Sequence, residues 1–595
     1  MSRSDRSAVA GHARGASRVS RREFVRRATL LGLSAPAVAA LLAACGGANP
    51  TPTSAPVSST AAPTANSAPA ASAAPTAATG GGATAAPTVV ATRAGAAATP
   101  TAAATSAAAG GGQPKPGGTS VWAAETDPVA LNPITNSNFS STQGFEHSYE
   151  SLTAYTPDLK IVPALAESWD NPDQTTYVFH LRKNVKWHDG TDFTADDVKY
   201  TFDIVLDPKG PAVYRQNFDQ VDKVEVVDPL TVKFTTKAPF PPLLGAFAIL
   251  RSSAIIPKGA MEKGKLDTQV VGTGPYKLTE YVPSDHITLV KNKDYWGGPL
   301  PYIDNVTFKI LAQEDARIAG LRAGTLDYGV LSADGRQRLQ GDSKFHIGSV
   351  PRQYNYLILF NMTKPPFSDA KARQAVNLAI DRKEIADKVF SGVFTPCGPV
   401  PISLGGGWAL PADELATKWE KYDPNQAKQL LKDAGVDTSQ ELDFLVTPFN
   451  NNFVPLAVVV ADQLKKVGLN AKIRQVEQGV YIKEQKANNF ALTPNAATAR
   501  HDPDAYVYSF HSGQNSAAGF KDDQLDALME QARTTLDAAK RKDLYDQIQR
   551  QMLTDAAAVW LGVDNYIEAL QTYVQGYVQS PSSRRIALKS SWLAK

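Results

Sequence analysis

Two periods of alternation between hydrophobic and polar residues run through the chain. TYVFHLRKNVKW (176–187) and VEVVDPLTVKF (224–234) alternate in steps of two and are rich in β-branched and aromatic residues, which predicts strands, with Asp228-Pro229 as a turn. DPNQAKQLLKDAG (423–435) repeats at the helical period. Asp423 is its expected cap, Pro424 opens the first turn, Ala427, Leu430, Leu431 and Ala434 share a face, and Gly435 ends it. A second helix is expected after Ser368, with Ala372, Ala375, Val376, Ala379 and Ile380 on one face. LDALMEQAR (525–533) and KRKDLYDQIQRQML (540–553) predict two more. The class is mixed α and β, and the stretch from Thr119 to Lys595 is long enough to divide into at least two lobes.

Ahead of this patterned region the chain changes character twice. From Gly46 to about Gly118 it is almost entirely Ala, Thr, Pro, Ser and Gly, with Arg93 and Lys115 as the charges. Such a stretch has too little large apolar surface to offset the entropy of ordering, so a disordered tether is expected over 45–118, with a span of roughly 45 Å. Before it, SRREFVRRATLLGLSAPAVAALLAACGG (20–47) joins a charged start to an uncharged run from Ala28 to Ala44 that Gly32 and Pro36 interrupt. The run is short for a membrane span of about 20 strongly apolar residues, and the layout is that of an export signal over residues 1–44.

The signal alters the charge picture. Residues 1–44 hold eight arginines against Asp5 and Glu23, so losing them takes the formal +3 of the whole chain to −3. No broad cationic character remains to suggest a nucleic-acid partner. The two cysteines are Cys45 and Cys397, so no disulfide framework supports the folded part. Cys397, in TPCGP, reads as a small, partly buried side chain in a proline-rich loop.

Catalytic signatures are scarce. There is no His-Glu-x-x-His, no Gly-x-Ser-x-Gly and no phosphate loop ending Gly-Lys-Ser/Thr, which removes a transport ATPase from this chain. The eight histidines are scattered, so no metal and no cofactor is expected. WHDGTDFTADDVKYTF (187–202) is the densest polar cluster. As an active site, His188-Asp189 would be a base with its orienting carboxylate, and Asp196 and Asp197 paired acids. As structure, Asp189-Gly190 is a turn and Thr194 caps a helix with Asp196 and Asp197 in its first turn, and this second reading is preferred.

Read in order, YESLTAYTPDLKIVPALAESW (149–169), FHLRKNVKWHDGTDFTADDVKYTF (179–202), GTGPYKL (272–278), NKDYWGG (292–298), LRAGTLD (321–327), FNMTKPPFSDAKARQAVNLAIDR (360–382) and DPD (502–504) resemble the solute-binding protein family 5 of ABC importers, which includes oligopeptide-, dipeptide- and nickel-binding proteins. The resemblance covers essentially all of 119–595. It implies a two-lobed periplasmic-binding-protein fold with a hinge of two crossings and an extra subdomain in the first lobe. Lobe one is expected at 119–350 plus 566–595 and lobe two at 351–565, with the first crossing near Arg352–Tyr356.

Ser20–Phe24 likewise resembles the twin-arginine export motif, and Leu42-Ala43-Ala44-Cys45 resembles a lipobox, which implies lipid on Cys45. The implied partners are a solute, permease subunits with separate ATPases, and the membrane through that anchor. The implied protein is a monomer at the outer face of the cytoplasmic membrane, and no enzyme.

Phe139, Tyr354, Asn355, Trp408, Arg500, His501 and Tyr508 are the expected ligand contacts. Tyr354 and Tyr356 also read as one face of a half-buried strand. Peptide-binding members carry a Trp and then an Asp four residues before the Pro of the Asp-Pro pair; here Ala496 and Ala499 take those places. The carboxylate that would pair a peptide's ammonium is missing. A ligand without an essential free ammonium is therefore expected: a backbone-held peptide, an oligosaccharide or an anion. Arg500 would fork onto a carboxylate, and Trp408 or Tyr508 would stack on a ring. The rival from another class is a surface-tethered hydrolase using the acids around 187–197, and a weaker one is a sensing lobe for a membrane receptor.

Overall fold

The computed structural model describes residues 112–595 except 137–138, 263–265, 267–268, 499–501 and 515–518, and leaves out the side chains of Phe139 and Thr498. The export signal, Cys45 and nearly all of the expected tether lie outside the described residues.

Local signals become elements where neighbouring residues permit. Asp423 caps the helix Pro424–Asp433 by accepting from the Gln426 amide, and Ala427 and Leu431 are buried beneath it. The helix Ala370–Ala379 is capped by Asp369 and buries Ala372, Ala375, Val376 and Ala379. VEVVDPLTVKF splits into the strands Val221–Asp228 and Thr231–Thr236 around Pro229. TYVFHLRKNVKW is strand only from Thr176 to Leu181; Asn184 takes a left-handed φ of 60°, which ends the ladder.

The central feature is an eleven-stranded mixed sheet among the described residues. From one edge its strands are Asn470–Gln475, Glu441–Val446, Leu492–Thr498, Phe345–Phe360, Val559–Gln571, Tyr328–Leu331, Thr119–Ala124, Asn305–Ile310, His286–Lys291 and Tyr276–Val282, with Phe394–Thr395 paired to Val559–Gln571 off this path. Phe345–Phe360 and Val559–Gln571 stand in the middle and pair with each other antiparallel.

Burial divides around these two long strands. One core runs from Tyr356 to Leu561. Two others draw on Trp122–Val330 with Tyr566–Leu593, and on Ala123–Phe345 with Ile567 and Ala569. A fourth lies under the four-stranded antiparallel sheet of Ala166–Asp170, Thr176–Leu181, Thr231–Thr236 and Val221–Asp228. There Phe202, on the helix Ala195–Leu206, meets Phe218, Phe234 and Phe247 edge-on with ring centroids 5.0–5.3 Å apart, a favoured geometry for buried rings.

Candidate ligand-binding cleft

The two long strands pair in register from Phe345↔Gln571 to Pro351↔Asn565 and resume at Asn355↔Val563. Arg352, Gln353 and Tyr354 thus stand against Asp564 alone. From Tyr354↔Thr498 onward the first strand also pairs with Leu492–Thr498. The irregularity therefore sits where the chain passes from one set of cores to the other. The Arg352 guanidinium grips Asp564 through Nε and Nη2 and donates to the Tyr356 hydroxyl at 3.2 Å. Its face lies 4.7 Å from the Tyr354 ring centroid. Asn450 donates to the Tyr354 hydroxyl at 2.7 Å, and Asn452 to that of Tyr356 at 2.8 Å.

Asn355 is fully buried. Its amide donates to Gly398 O at 2.8 Å and Pro399 O at 3.2 Å, while its oxygen accepts from the Cys397 thiol at 3.4 Å. The side chain therefore ties the strand to the 397–399 loop. Cys397 is itself fully rather than partly buried, and burial pushes its thiol well above the usual range. Asn355 also borders a cavity of about 160 Å³ with Leu357, Ala496, Ala497, Tyr506, Ser509 and Trp560. On its far side the strand Leu492–Thr498 meets the neighbouring strand at Leu492↔Phe444, and residues 495–497 border the cavity instead.

Asp502-Pro503-Asp504 opens a short helix, Pro503–Val507, which Asp502 caps through the Asp504 amide. Arg541 grips Asp502 at 2.7 and 3.0 Å. Arg533 Nε lies 3.3 Å from Asp504 Oδ1 without hydrogen-bond alignment. Burial pushes the Asp504 carboxyl up to about 7 despite that arginine. Arg533 is stacked 3.7 Å over Tyr508 and 5.2 Å from Phe240, a residue of the four-stranded subdomain. It thus touches both sides of the cleft.

The expected contacts separate on this geometry. Tyr354 stands at the crossing and Asn355 at the cavity wall. Tyr508 donates to Glu530 at 2.6 Å and backs Arg533. Trp408 packs edge-on to Tyr545, with Arg541 5.4 Å from its ring. Arg500, His501 and Ala499 lie outside the described residues, as does the side chain of Phe139. Periodicity and motif reading missed Arg352, Asp564, Asn450, Asn452 and Ser509, which come from four segments some 50 to 100 residues apart. In the 187–202 cluster, Asp189 accepts from Thr191 in a turn and Asp197 accepts from the Thr194 amide at 2.9 Å. His188 meets Gly274 O at 3.0 Å, and burial lowers it to about 4. Among the described residues no acidic, histidine or cysteine group is arranged to hold a metal ion, and no helix is long and apolar enough to cross a membrane.

Residues 160–518, more than half of the chain, match the bacterial extracellular solute-binding proteins, family 5 Middle. The chain belongs to this family. Family 5 consists of substrate-binding proteins of transport systems that work outside the cytoplasm. The heme-binding protein A of Haemophilus influenzae is 31% identical over 505 residues, covering 78% of this chain and 90% of that one. The dipeptide-binding protein of Escherichia coli is 29% identical over 504 residues, covering 78% and 92%. The structure of the oligopeptide-binding protein AppA from Bacillus subtilis in complex with a nonapeptide is 26% identical, with a TM-score of 0.68, and is matched over 81% of this chain and 100% of that one. The fold is the two-lobed family 5 fold.

Proposed function

We propose that this family 5 protein is a lipid-anchored monomer that captures a peptide-like or oligomeric nutrient and delivers it to the permease of an ABC importer with separate ATPase subunits. Residues 1–44 direct export by the twin-arginine route, lipid on Cys45 holds the protein at the outer face of the cytoplasmic membrane, and 46–118 is the tether. Lobe one is 119–350 with 566–595, lobe two is 351–565, and the lobes close on the solute. Tyr354, Asn355, Trp408, Arg500, His501, Tyr508 and Phe139 are the residues nearest to it. The ligand is held along its backbone rather than by a terminal ammonium.

One observation carries this reading of the ligand: Asp564 at the crossing and Asp502 and Asp504 of the Asp-Pro segment each already face an arginine, Glu530 is held by Tyr508 and His511, and residues 495–497 border the cavity. A strand edge beside a cavity suits main-chain hydrogen bonding to an extended chain. Ala499 in the sequence and the nonapeptide of the AppA complex support the same reading.

Calorimetry with free and N-acetylated peptides of two to six residues tests it. Acetylation is expected to leave affinity within about threefold, because no buried ammonium loses a partner. Submicromolar binding of a dipeptide that acetylation abolishes would refute the backbone-held ligand. Mass spectrometry of membranes should find a mature chain beginning at lipidated Cys45.

A further inference from the structure

Among the described residues Arg251 faces no carboxylate, and it lies within electrostatic reach of Tyr506, which lines the cavity at the crossing. It lies on the short helix Leu250–Ser253 of the lobe-one subdomain, half-buried. Its guanidinium is 5.1 Å from the Tyr214 ring centroid, and among the described residues it makes no hydrogen bond and no ion pair. Four other described arginines differ: Arg352 faces Asp564, Arg533 Asp504, Arg541 Asp502 and Arg584 Glu146.

The surroundings explain why this matters. Burial lowers the basicity of Arg251 and the nearby charge of Arg584 lowers it further, while Tyr214 and Tyr506 act the other way. Tyr506 lines the 160 Å³ cavity at the crossing strands. Arg584 lines a second cavity, of about 240 Å³, together with Ala248 and Leu250, the latter the immediate neighbour of Arg251. Stacking on Tyr214 satisfies the face of the guanidinium but none of the five N–H donors in its plane. The guanidinium nitrogens of Arg251 are not among the buried atoms left without a partner, so its donors remain open to receive an anion.

We propose that Arg251 is a ligand contact that receives an anionic group of the bound solute, a carboxylate in the simplest case, between Tyr214 and Arg584 of lobe one and Tyr506 of lobe two. The planar fork of the side chain matches a carboxylate with two parallel hydrogen bonds. This rests on the peptide-binding reading above and deepens it, because it assigns a negative charge to one part of a ligand whose amine is dispensable.

Two libraries of N-acetylated tetrapeptides, one with a free C-terminal carboxylate and one as the carboxamide, distinguish the possibilities. Each is equilibrated with the purified protein, and retained peptides are counted by mass spectrometry. The parent protein should retain acids over amides by about tenfold or more, the effect of one charge-assisted contact. Arg251→Gln should lose that preference, and a circular-dichroism spectrum and thermal midpoint matching the parent's report that it is folded. Arg251→Lys should keep part of it. Equal retention of acids and amides by the parent, or a preference that survives Arg251→Gln, overturns the assignment and leaves the peptide reading standing. Retention of neither library overturns the peptide reading and this inference with it.

Discussion

Two carboxylates four residues apart on the strand Val559–Gln571 meet opposite surroundings. Asp564, at the crossing, is gripped by Arg352 and touched by the Tyr356 hydroxyl. Glu568 is fully buried, where Tyr328 and Tyr577 donate to its Oε1 and Oε2 has no partner. Burial pushes Glu568 up to about 7, although Arg585 is close enough to oppose the shift. Alternation along a strand puts both side chains on the same face, so the difference comes from what the fold packs against them. At the crossing a cation arrives from the partner strand. In the core the donors are neutral hydroxyls, and the protonated acid is favoured.

Asp564→Ala removes the clamped member of this contrast and should have the largest effect. It leaves Arg352 partly buried and unpaired, at a cost of about 3 kcal/mol in urea unfolding. Arg352→Met with Asp564→Leu should recover most of that; a double variant as unstable as the single one would mean the pair is not the source. Glu568→Gln tests the other member. A carboxyl whose folded value is raised from 4.5 to about 7 binds its proton more tightly when folded, so its contribution to stability falls as pH rises from about 4.5 to 7 and is lowest above that. The variant should gain up to about 3 kcal/mol over the parent at pH 8 and nothing at pH 4. A pH-independent difference would mean that Glu568 stays charged in the fold. Asn452→Ala sharpens the clamp at its edge: Tyr356 loses one donor but keeps Arg352 and Asp564, so about 1 kcal/mol is expected. A loss as large as that of Asp564→Ala would place the asparagine at the centre of the clamp.

The elements that could be read from the sequence are those whose determinants are local. The helix after Asp423 needs a capping carboxylate and an apolar stripe within eleven residues, and the turn at Asp228-Pro229 needs two residues. The strand after Thr176 was readable only up to Leu181, because nothing in the alternation marks Asn184 as left-handed. The cleft is harder, since its parts come from distant segments. Asn355 looks like any polar strand residue until the 397–399 loop arrives to meet it. Arg352 and Asp564 acquire their character only when the two long strands pair, and Glu568 only when Tyr328 and Tyr577 close over it. Arg251 sits in an unremarkable stretch, AILRSSAI, with no spacing that would single it out.

The first long strand places three residues, Arg352 to Tyr354, where the second places Asp564 alone. The surplus is two, an even number, so inward and outward positions resume in phase at Asn355↔Val563 and Tyr356↔Gly562, before a separate one-residue shift at Leu357↔Trp560. A deletion of one residue here would exchange Tyr356, Ile358 and Phe360 with the layer now held by Leu357 and Leu359, whereas a change of two would preserve every layer. Insertions and deletions that this strand tolerates at the crossing should therefore come in pairs.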